Sequence, residues 1–449
     1  MQSTGVKMDI NRDTAYAVLM DMERNHSYSN LALNHFIEKK QPDEPGFVRE
    51  LVYGVTENRI LLDYYLSALI PSGLRRVKKP DLTLLRMGLY QILFLNSVPP
   101  YAAVSETVNL ARKFCRGREG FINGVLRNFQ RKAESGQLPA LPDREEHQAE
   151  YLSVKYSAAR WLTELWLASF GLQKTEQLLQ ASNGRPVLSL RVNCSRISRE
   201  ELQNLLAEEG FDCEPGALSE RILLLKGKGS GILESRLYRE GLFSVQDQAS
   251  AAAADLLHPS SKDLVIDVCA APGGKTLAMA EAMKGNGEVV AFDIYEHKLK
   301  LIQQQAERLG MNNIRTFCQD GRQVCERFRG KADCVLADVP CSGLGVLRRK
   351  PEIKLKNADE MDFAELIRRQ AEILHTASQY VKPGGTLVYS TCTVNPAENE
   401  MQIRRFLKMH PDFIQEAEKQ LLPDRESDGF YMCRLRKKHQ CAEECSGSE

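Results

Sequence analysis

The stretch Asp267-Val-Cys-Ala-Ala-Pro-Gly-Gly-Lys-Thr276 decides how this chain is read. Ahead of it, residues 264–268 form a short apolar run between polar neighbours, the pattern of a fully buried parallel strand. Behind it, Leu277, Ala278, Ala280 and Met283 supply the small and apolar side chains of a helix packed on a sheet. A strand, a Pro-Gly-Gly turn and a helix start thus follow in order. That is where an open α/β sheet binds a nucleotide, because glycine lets the backbone approach the ligand and the helix terminus presents free amides. Two phosphate-binding patterns fail here: Cys269 stands where a P-loop needs its first glycine, and Ala270 and Ala271 fill the turn where a dinucleotide fingerprint has glycines. A tight turn with little room for pyrophosphate suits a nucleoside cofactor without phosphate, of which S-adenosyl-L-methionine is the common one.

The acids downstream strengthen that expectation. Val289-Val-Ala-Phe-Asp293 is a second apolar run ending in an acid, about 20 residues past the turn, the separation at which an acid meets a ribose hydroxyl. Ile314-Arg-Thr-Phe-Cys-Gln-Asp320 and Asp333-Cys-Val-Leu-Ala-Asp338 repeat the pattern. The carboxyl ends of parallel strands lie along one edge, so four acids are expected to converge on one crevice. A lone terminal Asp is usually a helix cap or turn former; four in register point to a ligand.

With 449 residues the chain exceeds one ordinary core, and 43% hydrophobic and 27% charged residues mark a globular protein of two or three domains. The net charge of +1 is uninformative. Its distribution is not: basic clusters at 75–79, 112–113, 116–118, 127–132 and 348–350 are candidate nucleic-acid contacts, although any one alone is ordinarily a solvated face. Residues 1–11 lack the apolar core of a signal peptide and no run reaches a membrane span, so a cytoplasmic protein with no membrane partner is expected. The 12 cysteines are expected as thiols, and no zinc is expected, since no paired CxxC motifs occur and Cys441 and Cys445 lack histidines at finger spacing.

The fold class expected is multidomain. Asn11 can cap a first helix, and apolar residues at helical spacing recur through Leu51, Val55, Leu85, Leu89, Val104 and Val108 to Phe121-Ile-Asn-Gly-Val-Leu-Arg-Asn128, so residues 1–135 read as an all-α domain. Pro, Gly and charge mark a linker near 133–146. Residues 147–240 read as helices followed by a small α+β module, with a strand at 187–192, a capped helix at 198–209 and a strand at 222–225. Arg191 and Asn193 are expected on that module's exposed side, as candidate RNA contacts. From 241 to 449 strands and helices alternate, the signature of a doubly wound, Rossmann-like α/β sheet, with 430–435 as an antiparallel edge strand.

Two cysteines follow neighbouring strand tips, in Asp338-Val-Pro-Cys341-Ser-Gly and Ser390-Thr-Cys392-Thr. Both are expected beside the cofactor's methyl group, in turns whose amides lower a thiol's pKa. Carbon 5 of a pyrimidine is a poor nucleophile until a thiolate adds to carbon 6; it then takes a methyl group, and a base removes the carbon 5 proton so that the thiol can leave. Asp338 is close enough in sequence to hydrogen-bond the ring's N3 edge. The residues alone do not say which thiol attacks.

Together, 269–275, 338–343 and Ser390-Thr-Cys-Thr-Val-Asn-Pro-Ala-Glu-Asn-Glu400 resemble the RNA cytosine-carbon-5 methyltransferases of the NOL/NOP/Sun group. Asp428-Gly-Phe-Tyr-Met432 resembles that family's C-terminal segment, with Cys433 as one departure where a small residue is common. The helical region, through 121–128, resembles the RNA-binding fold of the antiterminator NusB. The resemblance implies that Cys392 is the nucleophile and Cys341 assists product release. It also implies that Cys269, Ala270, Ala271, Pro272, Gly273, Gly274, Lys275, Asp293, Asp320 and Asp338 hold S-adenosyl-L-methionine. The substrate it implies is a cytosine of 16S ribosomal RNA, free or in a partly assembled small subunit; the base has to be unstacked before a thiol can reach carbon 6, and a monomer is expected. Other readings are a transfer RNA or DNA cytosine methyltransferase, in the DNA case with the Pro-Cys thiol as nucleophile, an ATPase using Lys275, or a non-catalytic RNA-binding assembly factor. Lys350-Pro-Glu-Ile-Lys354 is read as a loop that clamps RNA phosphates or orders itself over the base.

Overall fold

Asp9, not Asn11, starts the first helix. In this computed structural model, which describes residues 9–439 apart from His26, Lys228 and Ser230, the Asp9 carboxylate accepts the backbone N–H of Asn11 at 2.8 Å and of Arg12 at 3.1 Å. Asn11 lies inside Ile10–Asn25 and its side-chain oxygen accepts the N–H of Glu44 instead. Helices Ser29–Lys40, Pro45–Glu57, Arg59–Leu69, Lys79–Phe94, Pro100–Phe114 and Glu119–Glu134 follow. Proline in the first turn of three of them costs no hydrogen bond and presets the helical φ. Val18, Leu51, Leu62, Leu84, Leu89, Leu126 and Phe129, all closed to solvent, form their common core. Cys441 and Cys445 lie outside the described residues.

Two compact units divide the chain differently from boundaries near 135, 147 and 240. The first holds residues up to Asn183, including the helices Gln148–Tyr156 and Arg160–Ser182, together with the later segment Leu347–Glu360. The second holds Gly184–Val346 and Met361 onward.

In the second unit, β1 (Ser189–Val192), β2 (Cys213–Pro215), β3 (Ile222–Leu225) and β4 (Phe243–Val245) form an antiparallel sheet in the order β2-β3-β1-β4. The helix Arg199–Glu208 against it starts with a complete Ser198/Glu201 capping box, as its sequence predicts. Arg191 and Asn193 are not exposed. Both are fully buried: Arg191 donates to the Glu281 carboxylate at 2.8 Å twice and to the Gly274 carbonyl at 2.6 Å, while Asn193 donates to the carbonyls of Gly241 and Leu309. A strand covered on both faces hides its polar side chains as well as its apolar ones, and these two tie the small sheet to the loops and helices beside it.

The larger sheet comprises β5 (Leu264–Asp267), β6 (Glu288–Asp293), β7 (Ile314–Cys318), β8 (Ala332–Asp338), β9 (Val381–Thr391), β10 (Phe413–Leu421) and β11 (Phe430–Lys437). Their order is β10-β11-β9-β8-β5-β6-β7, parallel from β7 through β9. Both faces of the parallel part are covered. Ile266, Val290, Val335 and Leu387 pack on one side, and Val265, Val289, Leu336 and Val388 meet Ala278, Met279 and Met283 on the other. This is why the sequence shows continuous apolar runs there. The 430–435 strand is antiparallel to β9 as expected, but it is not at the edge: β10 pairs outside it. Phe-Ile-Gln-Glu-Ala-Glu-Lys-Gln-Leu of β10 carries too little apolar alternation to announce a strand, because its residues are mostly exposed.

Candidate active site

The carboxyl ends of β5, β6 and β8, and the loop after β7, bring Asp267, Asp293, Asp338 and Asp320 around Cys269. Burial first, and then each of these four carboxylates, pushes the Cys269 thiol well up from its usual range. Asp267 is itself buried and pushed up to about 7 by desolvation, although the Thr276 hydroxyl donates to it at 2.7 Å. Asp293 accepts the N–H of Ala271 at 3.3 Å and of Tyr295 at 2.9 Å, so it braces the turn. Gly273 stands at φ +107°, a conformation side-chain-bearing residues rarely adopt, and a Cβ there would also meet Ile302 at 2.8 Å. Asp320 is held by Arg322 at 2.7 Å, which keeps its carboxyl below the usual range. A crevice with this excess of carboxylate fits a cationic ligand, and the sulfonium and ammonium groups of S-adenosylmethionine are two such cations.

Lys275 points elsewhere than a phosphate. Its ammonium donates to Asp338 Oδ2 at 2.8 Å and lies 4.8 Å from the Phe430 ring centroid. Burial works against the charge, but Asp338 outweighs it, helped by the neighbouring Cys392, and the Lys275 pKa ends up raised. The other oxygen of Asp338 accepts the Ser390 hydroxyl at 2.7 Å.

Cys341 and Cys392 meet with their Sγ atoms 3.1 Å apart. Pairing of β8 with β9, with Asp338 opposite Ser390, sets their turns side by side. The expectation that nearby amides lower the Cys341 thiol fails. It is pushed well up, by the hydrogen bond with Cys392 first and desolvation second, against which the Gly343 amide is a minor pull.

Glu398, fully buried, holds the two turns together. It accepts the Ser342 N–H at 2.9 Å, the Ser342 hydroxyl at 2.6 Å, the Asn395 amide at 2.9 Å and the Gln370 amide at 2.9 Å. Asn399 does the same for the end of β9, accepting the Thr391 hydroxyl at 2.6 Å and donating to the Thr393 carbonyl at 3.0 Å. Gly345 and Gly429 close the site: Gly345 N–H donates to Cys392 O, Gly429 N–H to Gly345 O, and a Cβ on Gly345 would lie 2.0 Å from the Gly429 oxygen.

Residues 254–436 match the family model of the 16S rRNA methyltransferase RsmB/F, 9–131 that of the NusB family, and 158–230 that of the ferredoxin-like domain of the same methyltransferases. The probable ribosomal RNA small subunit methyltransferase B of Bacillus subtilis is 38% identical, over 95% of this chain and 98% of that protein. The chain belongs to this family. The ribosomal RNA small subunit methyltransferase B of Vibrio cholerae is 35% identical over 97% and 99% of the two chains. Among solved structures, PH0851 superposes with a TM-score of 0.80 at 25% identity, covering 97% of this chain and 100% of that one. A methyltransferase homologue of Pyrococcus horikoshii superposes with 0.58 at 25% identity, covering 65% and 99%.

The family's helical, ferredoxin-like and Rossmann-like parts are therefore all present, as the sequence implies. Of the residues singled out there, the two thiols, Lys275 and Asp338 cluster at one place, and the turn 269–274 with Asp293 and Asp320 lines the adjoining crevice. Glu398 and Asn399 were overlooked as individuals, though both lie in the 390–400 motif. The available signal is the cluster Asn395, Glu398 and Asn399 directly after a buried strand tip, where side chains that accept and donate satisfy the turn's backbone and side-chain groups.

Proposed function

We propose that this chain methylates carbon 5 of a cytosine in 16S ribosomal RNA, with Cys392 as nucleophile and Cys341 in product release. The observation that carries the reading is the 3.1 Å approach of the two thiols beside the Lys275–Asp338 ion pair. The Lys275 ammonium favours a thiolate at Cys392. Addition of that thiolate to carbon 6 of the ring forms an S–C bond and moves an electron pair towards carbon 5. N3 grows more basic as electron density builds on the ring, and a proton shared between N3 and Asp338, which Lys275 and Ser390 fix, favours the addition. S-adenosylmethionine, held by 269–275, Asp293 and Asp320, supplies an electrophilic methyl group when bound. Cys341 takes part in removing the carbon 5 proton; the carbon 5–carbon 6 double bond re-forms and the Cys392 sulfur leaves with its electron pair.

Support for the RNA comes from the names of the Bacillus and Vibrio relatives, and for the cofactor from the acid-rich crevice. The reading is tested by mixing Cys341→Ala and Cys392→Ala proteins with small-subunit ribosomal RNA and S-adenosylmethionine and running denaturing gels. A denaturation-resistant protein–RNA adduct is expected with Cys341→Ala and none with Cys392→Ala. The reverse pattern exchanges the roles, and no adduct from either, with methylation by the unaltered chain, removes the covalent step.

A further inference from the structure

The helical unit contains a cavity of about 560 Å³, within the roughly 300–1,000 Å³ common for small-molecule sites. It lies between helices of the N-terminal region and the segment Leu347–Glu360, all within one compact unit. Its lining is charged but balanced. Arg59 pairs with Glu23 at 2.9 Å, Arg86 with Glu23 at 3.1 Å and with Asp63 at 2.7 Å, and Arg59 still has 38% of its side chain open to solvent. A bare phosphate gains little beside guanidiniums already matched by acids. A neutral ligand with both donors and acceptors on its edge fits better.

Two further observations narrow the ligand. Glu352 lines the cavity with one oxygen engaged by the Ser29 hydroxyl at 3.0 Å, while the other, Oε1, is buried with no hydrogen-bond partner. An unmet carboxylate oxygen is costly, and a small side-chain rotation turns it to an incoming N–H donor. Tyr28, 43% exposed, presents an aromatic face at the same cavity with the Lys350 ammonium 5.6 Å from its ring centroid. The exposed basic run 75–79 ends at Lys79, on the cavity wall. An aromatic platform, a carboxylate acceptor and guanidinium donors inside, with cations leading in, are what an unstacked nucleobase on a phosphate backbone meets.

We propose that this cavity is a second RNA-binding subsite, which takes one unstacked guanine of the substrate. Guanine is the base whose pairing edge carries two adjacent donors, N1–H and the 2-amino group, for a carboxylate, and whose O6 and N7 accept from a guanidinium. Adenine and cytosine set an acceptor beside their amino group, which a carboxylate repels. The inference rests on the RNA reading above, and it gives the first unit a sequence-reading contact of its own.

The test uses the full chain, measuring Kd for small-subunit ribosomal RNA and, separately, for S-adenosylmethionine. GMP is expected to compete with the RNA at lower concentration than IMP, AMP or CMP, IMP lacking only the 2-amino donor. Glu352→Gln and Tyr28→Ala are each expected to raise the RNA Kd about tenfold with the S-adenosylmethionine Kd unmoved and the helical circular-dichroism melt of the chain unchanged, which shows both units folded. Should Glu352→Gln fail to fold, Tyr28→Ala, altered at an exposed side chain, carries the same measurement. Unchanged RNA Kd in the folded variants, or equal competition by all four nucleotides, overturns the subsite. RNA that the unaltered chain neither binds nor methylates overturns the function itself.

Discussion

At the scale of single residues, the geometry of the two thiol turns depends on buried groups behind them. Glu398 accepts four hydrogen bonds in a fully buried position, two of them from Ser342, the residue next to Cys341. Glu398→Gln puts an amide donor against some of those donors and costs stability by about 2–3 kcal/mol, the penalty of unmet buried groups. The larger effect is on chemistry. Displacing a reacting thiol by an ångström costs on the order of 100-fold in rate, so single-turnover methylation by Glu398→Gln is expected to slow by roughly that factor while equilibrium dialysis finds S-adenosylmethionine binding retained. Loss of cofactor binding in step with rate would place Glu398 in the crevice instead. Lys275→Met separates two explanations of Lys275. If its ammonium favours the Cys392 thiolate, the rate of alkylation of Cys392 by iodoacetamide, read by peptide mass spectrometry, falls several-fold in the variant; an unchanged rate restricts Lys275 to holding Asp338.

At the scale of elements, the helix Gly274–Ala282 that follows the glycine turn is fixed from outside the Rossmann-like sheet. Arg191 of β1 spans from its first carbonyl, at Gly274, to Glu281 near its end, and both partners of the ion pair are closed to solvent. Arg191→Met leaves the buried Glu281 charge to the more distant Arg221, at 3.9 Å, and is expected to destabilise the second unit by about 3 kcal/mol in urea unfolding. Arg191→Met with Glu281→Leu is expected to recover most of that, because a buried ion pair is worth little against packed apolar groups. A double variant as unstable as the sum of the singles would show that the other contacts Arg191 makes, to the Gly274 carbonyl and the Gln246 side-chain oxygen, matter more.

The same strand shows where sequence reading stops. Apolar runs closing on an acid declared β5 to β8, and β9 shows the apolar run alone, ending in Ser390-Thr391. Arg191 and Asn193 looked like surface groups, since nothing local announces a partner 90 residues away at Glu281 or 116 away at Leu309. Strand β10 escaped for the opposite reason, its mostly exposed residues leaving no apolar pattern. The thiols and acids were legible because strand order carries them to one edge. The upward shift at Cys341 was not, as it arises from a neighbour 51 residues on.

At the scale of the whole molecule, the two units are interleaved along the chain, and the returning segment Leu347–Glu360 completes the first. Lys354, read from sequence as part of a phosphate clamp or ordering loop, is fully buried there. Its ammonium donates to the carbonyls of Glu57 at 2.9 Å and Tyr156 at 3.0 Å and to the Asn183 side-chain oxygen at 2.5 Å, at the C-terminal ends of three helices. Helix ends leave carbonyls unsatisfied and carry partial negative charge, so a buried cation gathers all three. A fragment ending at Asn183 lacks this donor and is expected to melt several degrees below the first unit of the full chain; a peptide of residues 344–361 added in trans is expected to raise its Tm, and a Lys354→Met peptide to do so less. Desolvation also pulls Lys354 down to about 7 in the folded chain, against roughly 10.4 for an unfolded lysine. Between those values the unfolded chain holds a proton that the folded one has released. Stability of the first unit therefore gains a component that rises with pH from about 7 to 10. Denaturant titrations at several pH values should find this component in the unaltered chain and not in Lys354→Met; parallel pH profiles for the two proteins would mean that the three oxygens keep the ammonium charged throughout.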